Sequence, residues 1–349
     1  MPRFNAEEFA ENIPGLVFAM FMALCGYAIW TQFKPISSLM WSFMIGIATS
    51  NILELPDNVR MGLGYSSSSL LKVAIALLGL VTSASVWFEV GVGAFNAIVI
   101  VLFAFITSLA LGKRLGISNR LAILIGVGTS ICGASAIAAT APAIGAKEEE
   151  IGIAISGITL FGLISMFLYP YLFTNTAVFD WLLGNPMVYA IWVGSGVHES
   201  AQVLVAASTL SPEYMQPALI IKSIRIFMIA PIVLASTFYL NRAEEGKLTA
   251  KVSLPLFAIV FLVNSLISAG LNTVANPVFH GAWVIVKAGL KSSIIPFLLS
   301  IAFAGVGSKV RFSDIAKVGW KPFGFAALMS IMAGVVALGM AVFIAPYIA

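Results

Sequence analysis

Three groups of polar residues interrupt the apolar stretches of this 349-residue chain. Polar groups at membrane depth are costly enough that each one is a candidate for function. The first group lies in Gly126–Ala146, GVGTSICGASAIAATAPAIGA, which gathers Gly126, Gly128 and Gly133, the hydroxyls of Thr129, Ser130, Ser135 and Thr140, and Pro142. In hydrocarbon every backbone N–H and C=O needs an internal partner, so a helix broken at that depth belongs where it lines a cavity or packs on protein. A break near Gly133 would turn the N–H groups of Ala134–Ala136 into a positive helix end, which suits an anion. Ser130 is expected to cap that end and Ser135 to add a hydroxyl ligand. The competing reading is that glycine and serine only let helices pack closely. Cys132 alone reads as a small packing residue more readily than as a nucleophile.

The second group is Gly194–Gln202, GSGVHESAQ. His198, Glu199 and Gln202 fall within one expected helical turn, with His198 and Gln202 on a shared face at i, i+4. A carboxylate there can carry a proton, and a histidine titrates near neutrality. The alternative places this segment in the interface, with both groups in water. The third group is Lys222 and Arg225 in ALIIKSIRIFMIAP. They share a helical face, and Arg225 stands about 10 Å along the helix from Ala218, too deep for easy snorkelling. Such cations must meet carboxylates, carbonyls or an anionic solute. Glu199 at −1 and two cations at +1 each sum to +1, which favours an anion; an ion pair tying two helices together is the structural alternative.

The elements that must position these groups follow from composition. The chain is 60% apolar and 10% charged, against about 25% charged in soluble domains, and its mean hydropathy is +1.01. Apolar runs recur at Ile13–Trp30, Ile36–Leu53, Leu70–Phe88, Gly93–Leu111, Ala122–Ala146, Ile151–Phe173, Met187–Ser208, Ala218–Leu240, Leu254–Leu271, Phe279–Leu290, Ile294–Gly307 and Phe325–Ile348. They predict an all-α polytopic membrane protein of about 10–12 segments, in a single integral membrane domain over residues 1–349. The start, MPRFNAEEFAEN, makes a poor cleavable leader, so the first run is taken as a retained span. Cys25 and Cys132 both lie in apolar segments and suggest no disulfide or metal framework.

Basic residues cluster at Lys113/Arg114/Arg120, Arg242/Lys247/Lys251 and Lys309/Arg311/Lys317/Lys321, which the positive-inside rule assigns to the cytoplasm. Counting from these anchors makes Gly126–Ala146 start and finish on one side as a re-entrant hairpin, and Met187–Ser208 likewise on the other. Full crossing of both segments satisfies the same anchors. Internal similarity bears on the choice. Gly128-Thr129-Ser130-Ile131 followed by Ala134 lines up with Gly194-Ser195-Gly196-Val197 followed by Ser200. Leu77–Leu80 with Val90-Gly91 resembles Phe303–Val306 with Val318-Gly319. Inverted repeats whose interrupted or re-entrant helices meet near the midplane are a hallmark of secondary transporters. Lys72 is expected to start a span and snorkel, and Trp30, Trp41, Trp87, Trp181 and Trp192 to mark the interfacial belt. The +4 charge belongs to this loop topology rather than to nucleic acid. No Walker loop, nucleotide fingerprint or HExxH occurs in the sequence, which leaves ATP-driven pumping without support.

The runs GTSICGASAIAATAPAIGAKEEE, GSGVHESAQVLVAAS, LLKVAIALLGL and IKSIRIFMIAP resemble the YeiH family of bacterial membrane proteins, to which sulfate export is attributed. The similarity runs in order from about residue 70 to 325. It implies a secondary carrier related to the bile-acid and sodium/proton antiporter fold, in the bacterial inner membrane, with a small anion such as sulfate as solute. The expectation is therefore an alternating-access anion transporter, not an enzyme. It would use no cofactor beyond H⁺ or Na⁺ as coupling ion, and its partners would be the solute, the bilayer and a second copy. Its N-terminus would be cytoplasmic. The binding set would be Ser130, Cys132, Gly133, Ser135, His198, Glu199, Gln202, Lys222 and Arg225. The alternatives are a cation/proton antiporter carried by Glu199, an intramembrane enzyme built on Cys132 with His198 and Glu199, and a sensor.

Overall fold

The computed structural model describes residues 6–33, 37–82, 86, 90–91, 93–243, 256–273, 276–315 and 319–348. Trp87, Lys247, Lys251, Lys317 and Val318, each singled out above, lie outside the described residues. Regular structure among the described residues is helical throughout. The main helices are α1 (Ala6–Gln32), α2 (Ser38–Ile52), α3 (Asp57–Val81), α4 (Gly93–Arg114), α5 (Asn119–Ser130), α6 (Ala134–Ile144) and α7 (Glu148–Asn175). They continue with α8 (Pro186–Gly196), α9 (Ser200–Leu210), α10 (Pro212–Arg242), α11 (Leu256–Asn272), α12 (Pro277–Ser308) and α13 (Trp320–Ile344). Among the described residues, 7 helical stretches are long and apolar enough to cross a membrane. The chain separates into two compact units, residues 1–84 with 256–312 and residues 85–255 with 313–349.

In the first unit α2 lies along α12 at backbone contact distance. Gly46 and Gly307 permit this, because a methyl group on either would run into backbone of the partner helix. Two expected spans, Phe279–Leu290 and Ile294–Gly307, are one continuous helix, α12. A π-helical turn at Leu290–Ile294 carries the chain across the polar Lys291-Ser292-Ser293. Likewise α3 begins at Asp57 rather than near Leu70, through a π-helical turn at Ser66–Leu70. The serine run survives inside a helix because its hydroxyls bond back to preceding carbonyls, Ser66 to Leu63 and Ser67 and Ser68 to Gly64, each at 2.8 Å. Lys72 consequently lies inside α3, not at its start, with its side chain exposed.

The second unit contains two helical hairpins and the long helix α7 that relates them. Arg120, at the start of α5, donates from Nε to the carbonyl of Ile144, the last residue of α6, at 3.0 Å. The hairpin α5–α6 therefore starts and ends at one place, beside the first turn of α7, where Ser118 donates to Glu150 at 2.6 Å. Residues 126–146 fold back, the re-entrant one of the two solutions that the basic anchors allowed. The hairpin α8–α9 does the same from the other end. Tyr189 near its start donates to the carbonyl of Ala206 near its finish at 2.9 Å. The Tyr189 ring lies 4.7 Å from that of Phe173 in the last turn of α7. Since α7 has 28 residues and is about 42 Å long at 1.5 Å per residue, the two hairpins enter from opposite ends. Their second arms, 134–144 and 200–210, are equal in length and 66 positions apart, the offset that also carries Thr129 onto Ser195.

Candidate functional site

The first hairpin turns at Ile131–Gly133. Gly133 has φ +71°, a region that L side chains rarely occupy, and a Cβ there would meet Glu199 Cγ at 2.5 Å. Glycine is required on both counts, by backbone conformation and by the closeness of the second hairpin. α6 then opens at Ala134 with Gly133 as its N-cap and no side-chain cap bond. Ser130 does not cap it, contrary to expectation. Its Oγ bonds back to Val127 at 3.3 Å, inside its own helix, because Ser130 belongs to α5 and the chain reverses before α6 begins. Ser135 is exposed and Ala134 half-buried, so the positive end of α6 is open on one side. Cys132 is buried with a free thiol.

The second hairpin turns at Val197–Glu199. Glu199 is the N-cap of α9, and a reciprocal capping box links it to Gln202. Its side chain accepts from the backbone N–H of Gln202, and the Gln202 side chain accepts from Glu199 N at 3.2 Å. Two orphan donors of the helix start are thereby satisfied. Glu199 Oε1 also accepts from Thr159 Oγ1 of α7 at 3.0 Å, and Gln202 Nε2 donates to the Thr159 carbonyl at 3.2 Å. The expected common face of His198 and Gln202 does not form, because the helix starts only at Ser200. His198 sits outside it and points the other way, its Nε2 2.6 Å from Ser330 Oγ of α13. Glu199 and Ser200 are half-buried, while His198 is fully buried.

Lys222 and Arg225 stand on α10, each fully buried. The Arg225 guanidinium makes five hydrogen bonds to backbone carbonyls at the ends of the two first arms. Nε donates to Ser130 at 2.8 Å, Nη2 to Thr129, and Nη1 to Gly194, Ser195 and Val197. Lys222 Nζ donates to Val197 at 2.9 Å and to His198. A helix C-terminus presents unpaired carbonyls and a partial negative charge. Arg225 satisfies both at α5 and α8 together and so pins the hairpin tips to one another, while Lys222 adds to the end of α8. Of the three partners open to them from the sequence, carbonyls are the ones bound.

The result is a layered arrangement. The first arms end on buried cations, and the second arms begin on the other side of the turn, where Ser135, Ala134, Glu199 and Ser200 retain exposure. Two helix starts, that of α6 without a side-chain cap and that of α9 closed by the Glu199–Gln202 box, flank one carboxylate. Sequence reasoning brought together Ser130, Cys132, Gly133, Ser135, His198, Glu199, Gln202, Lys222 and Arg225, and all of them lie in or next to the two tips. It missed Thr159, Ser330 and Gly162. A methyl group on Gly162 would collide with Gln202 Oε1. None of the three carries a local signal, since each is an ordinary small residue on the face of a long apolar helix. Trp192, taken for a belt residue, is 2% exposed and stacks on Tyr169 with centroids 4.2 Å apart, which braces α8 against α7.

Comparison with known proteins gives matches to bacterial membrane proteins along most of the chain. The family model described as conserved hypothetical protein 698 matches residues 14–326. A UPF0324 membrane protein of Pseudomonas aeruginosa is 32% identical over 335 residues, covering 91% of this chain and 90% of the relative. The UPF0324 inner membrane protein YeiH of Escherichia coli K12 is 29% identical over 333 residues, covering 91% and 90%. A counterpart in Salmonella typhimurium is 30% identical over 324 residues, covering 89% and 88%.

Proposed function

The chain belongs to the conserved hypothetical protein 698 family, which includes the YeiH proteins, and we propose that this multi-pass bacterial membrane protein is a secondary carrier of a small anion. The observation that carries this reading is the meeting of two inverted hairpins, with the uncapped N-terminus of α6 beside Glu199, the cap of α9. Backbone N–H groups at a helix start bind anions through both hydrogen bonding and the dipole. Paired broken segments entering from opposite sides are how carriers build a site reachable from either face. Lys222 and Arg225 serve this site from behind. They cancel the negative ends of α5 and α8 and leave a net positive field at the opposite ends, without touching the solute.

Glu199 supplies the coupling. Its carboxylate already takes the place an anion would want, at the start of α9 and against Gly133. An ionised Glu199 repels the solute and competes for the same donors, while a protonated Glu199 does neither. Proton uptake and anion binding therefore favour one another, and a reciprocal coupling of this kind moves both together. If the shorter α2 and α11, of 15 and 17 residues, cross together with the 7 longer helices, and both hairpins re-enter, then Arg114, Arg242 and Lys309 fall on one side. The positive-inside rule makes that side the cytoplasm, and the N-terminus with it.

The test is flux in proteoliposomes. Sulfate and a panel of small anions are offered under an imposed proton gradient, with wild type beside Glu199→Gln. The expected result is anion uptake that strengthens as pH falls, and a variant whose uptake no longer responds to pH. Proton flux that depends on Na⁺ and not on any anion would replace this reading with the cation/proton antiporter, in which Glu199 carries the ion.

A further inference from the structure

A second feature lies in the first unit, separate from the hairpins. A cavity of about 270 Å³ opens between the C-terminal ends of α2 and α12 and the first turn of α3. Arg60, Lys309 and Arg311 line it, with Ser50, Gly64 and Ser308 between them and three leucines completing the wall. Among the described residues that line it there is no carboxylate. Two acids border it: Asp57, exposed and 3.9 Å from Arg60, and Glu54, exposed and set in the chain between the lining residues Leu53 and Leu55. The walls are held rigidly. Asn51 donates to the Val310 carbonyl at 2.7 Å and accepts from the N–H of Phe312 at 2.8 Å. This clamps the chain that carries Lys309 and Arg311 against α2. Three cations converging on a small concave space gain electrostatically from a multiply charged occupant, and arginine matches phosphate oxygens with paired donors.

We infer that the cavity at Arg60, Lys309 and Arg311 binds a phosphate-bearing anion, independently of the solute site in the hairpins. In the orientation proposed above it faces the cytoplasm at the end of a membrane helix, where basic pockets between helices take phospholipid headgroups. A free cytosolic phosphate offers the same chemistry, and the two sources separate by experiment. Full-length protein in detergent is titrated with cardiolipin, with phosphatidylcholine and with inorganic phosphate, following thermal unfolding and bound mass by native mass spectrometry. The same series is run on Lys309→Gln/Arg311→Gln and on Arg60→Gln. These positions are exposed, so the fold is expected to survive their neutralisation, and an unchanged gel-filtration profile and unfolding midpoint without additive check this.

The expected result is retention and stabilisation by cardiolipin but not by phosphatidylcholine, with apparent affinity at least tenfold weaker in the double variant. Stabilisation by inorganic phosphate alone, lost in the same variant, assigns the site to a soluble phosphate. Equal responses from wild type and variants, or no response to either probe, overturn the inference. Anion flux through the hairpins is read separately, so a failure here leaves the transport reading untouched, and the reverse holds.

Discussion

The two hairpins share one architecture and differ at the turn. In the first, Cys132-Gly133-Ala134 carries no ionisable group beyond a buried thiol, and its helix start has no side-chain cap. In the second, His198-Glu199-Ser200 occupies the equivalent positions, and its helix start is closed by the Glu199–Gln202 box. The two tips therefore divide the work. One presents bare backbone donors, and the other presents a carboxylate that fills the space those donors address. A symmetric pair of uncapped ends would bind an anion without regulation, and a symmetric pair of capped ends would not bind one. In the proposed carrier, placing a titratable cap on one side only would make occupancy by the solute depend on a proton.

This division gives an ordered set of expectations. The largest effect falls where both hairpins are held together. Arg225→Ala leaves five carbonyl contacts unmade in a fully buried place. Each unsatisfied buried group costs about 1–3 kcal/mol, so the variant is expected to lose several kcal/mol. A thermal-unfolding midpoint in detergent equal to that of wild type would show that the tips do not depend on this arginine. Gly133→Ala comes next, because its added carbon must occupy both a strained backbone and the place of Glu199 Cγ. Transport is expected to fall at least tenfold. Alanine at the equivalent position 199 meets no such strain, since the backbone there is extended with φ −100°. A Gly133→Ala protein with wild-type flux would remove the asymmetry of the turns.

Smaller effects test chemistry rather than shape. Glu199→Gln keeps the size and hydrogen-bonding reach of the cap, so the protein is expected to fold and to bind anion with an affinity that no longer changes with pH. Calorimetric titration at several pH values reads this directly, and a slope equal to that of wild type would take the proton away from Glu199. Ser135→Ala is expected to cost about 1 kcal/mol of anion affinity, the worth of one hydrogen bond, with stability unchanged because the residue is exposed. The smallest effect is expected at Cys132. Cys132→Ser should transport as wild type does, and loss of all function there would instead favour the nucleophile reading.

Much of this was legible from residue order. Hydropathy and the spacing of basic loops marked the helical membrane class, and their count offered the fold-back of both hairpins as one of two solutions. The GTSIC and GSGVH runs located both turns, and the depth of Lys222 and Arg225 along their helix marked them as needing partners. What could not be read was direction. The choice of re-entrance over crossing rests on Arg120 meeting Ile144 and Tyr189 meeting Ala206. The choice of carbonyls over solute for Arg225 rests on bonds reaching 95 and 96 positions along the chain. His198 turned out to face Ser330, 132 positions away, because the helix start at Ser200 left it outside the face that spacing had given it. Composition and periodicity are local, and they determine that a segment is apolar, broken or charged. Which neighbour a donor reaches at the turn of a hairpin depends on how distant helices pack, and that was decided only by the tertiary structure.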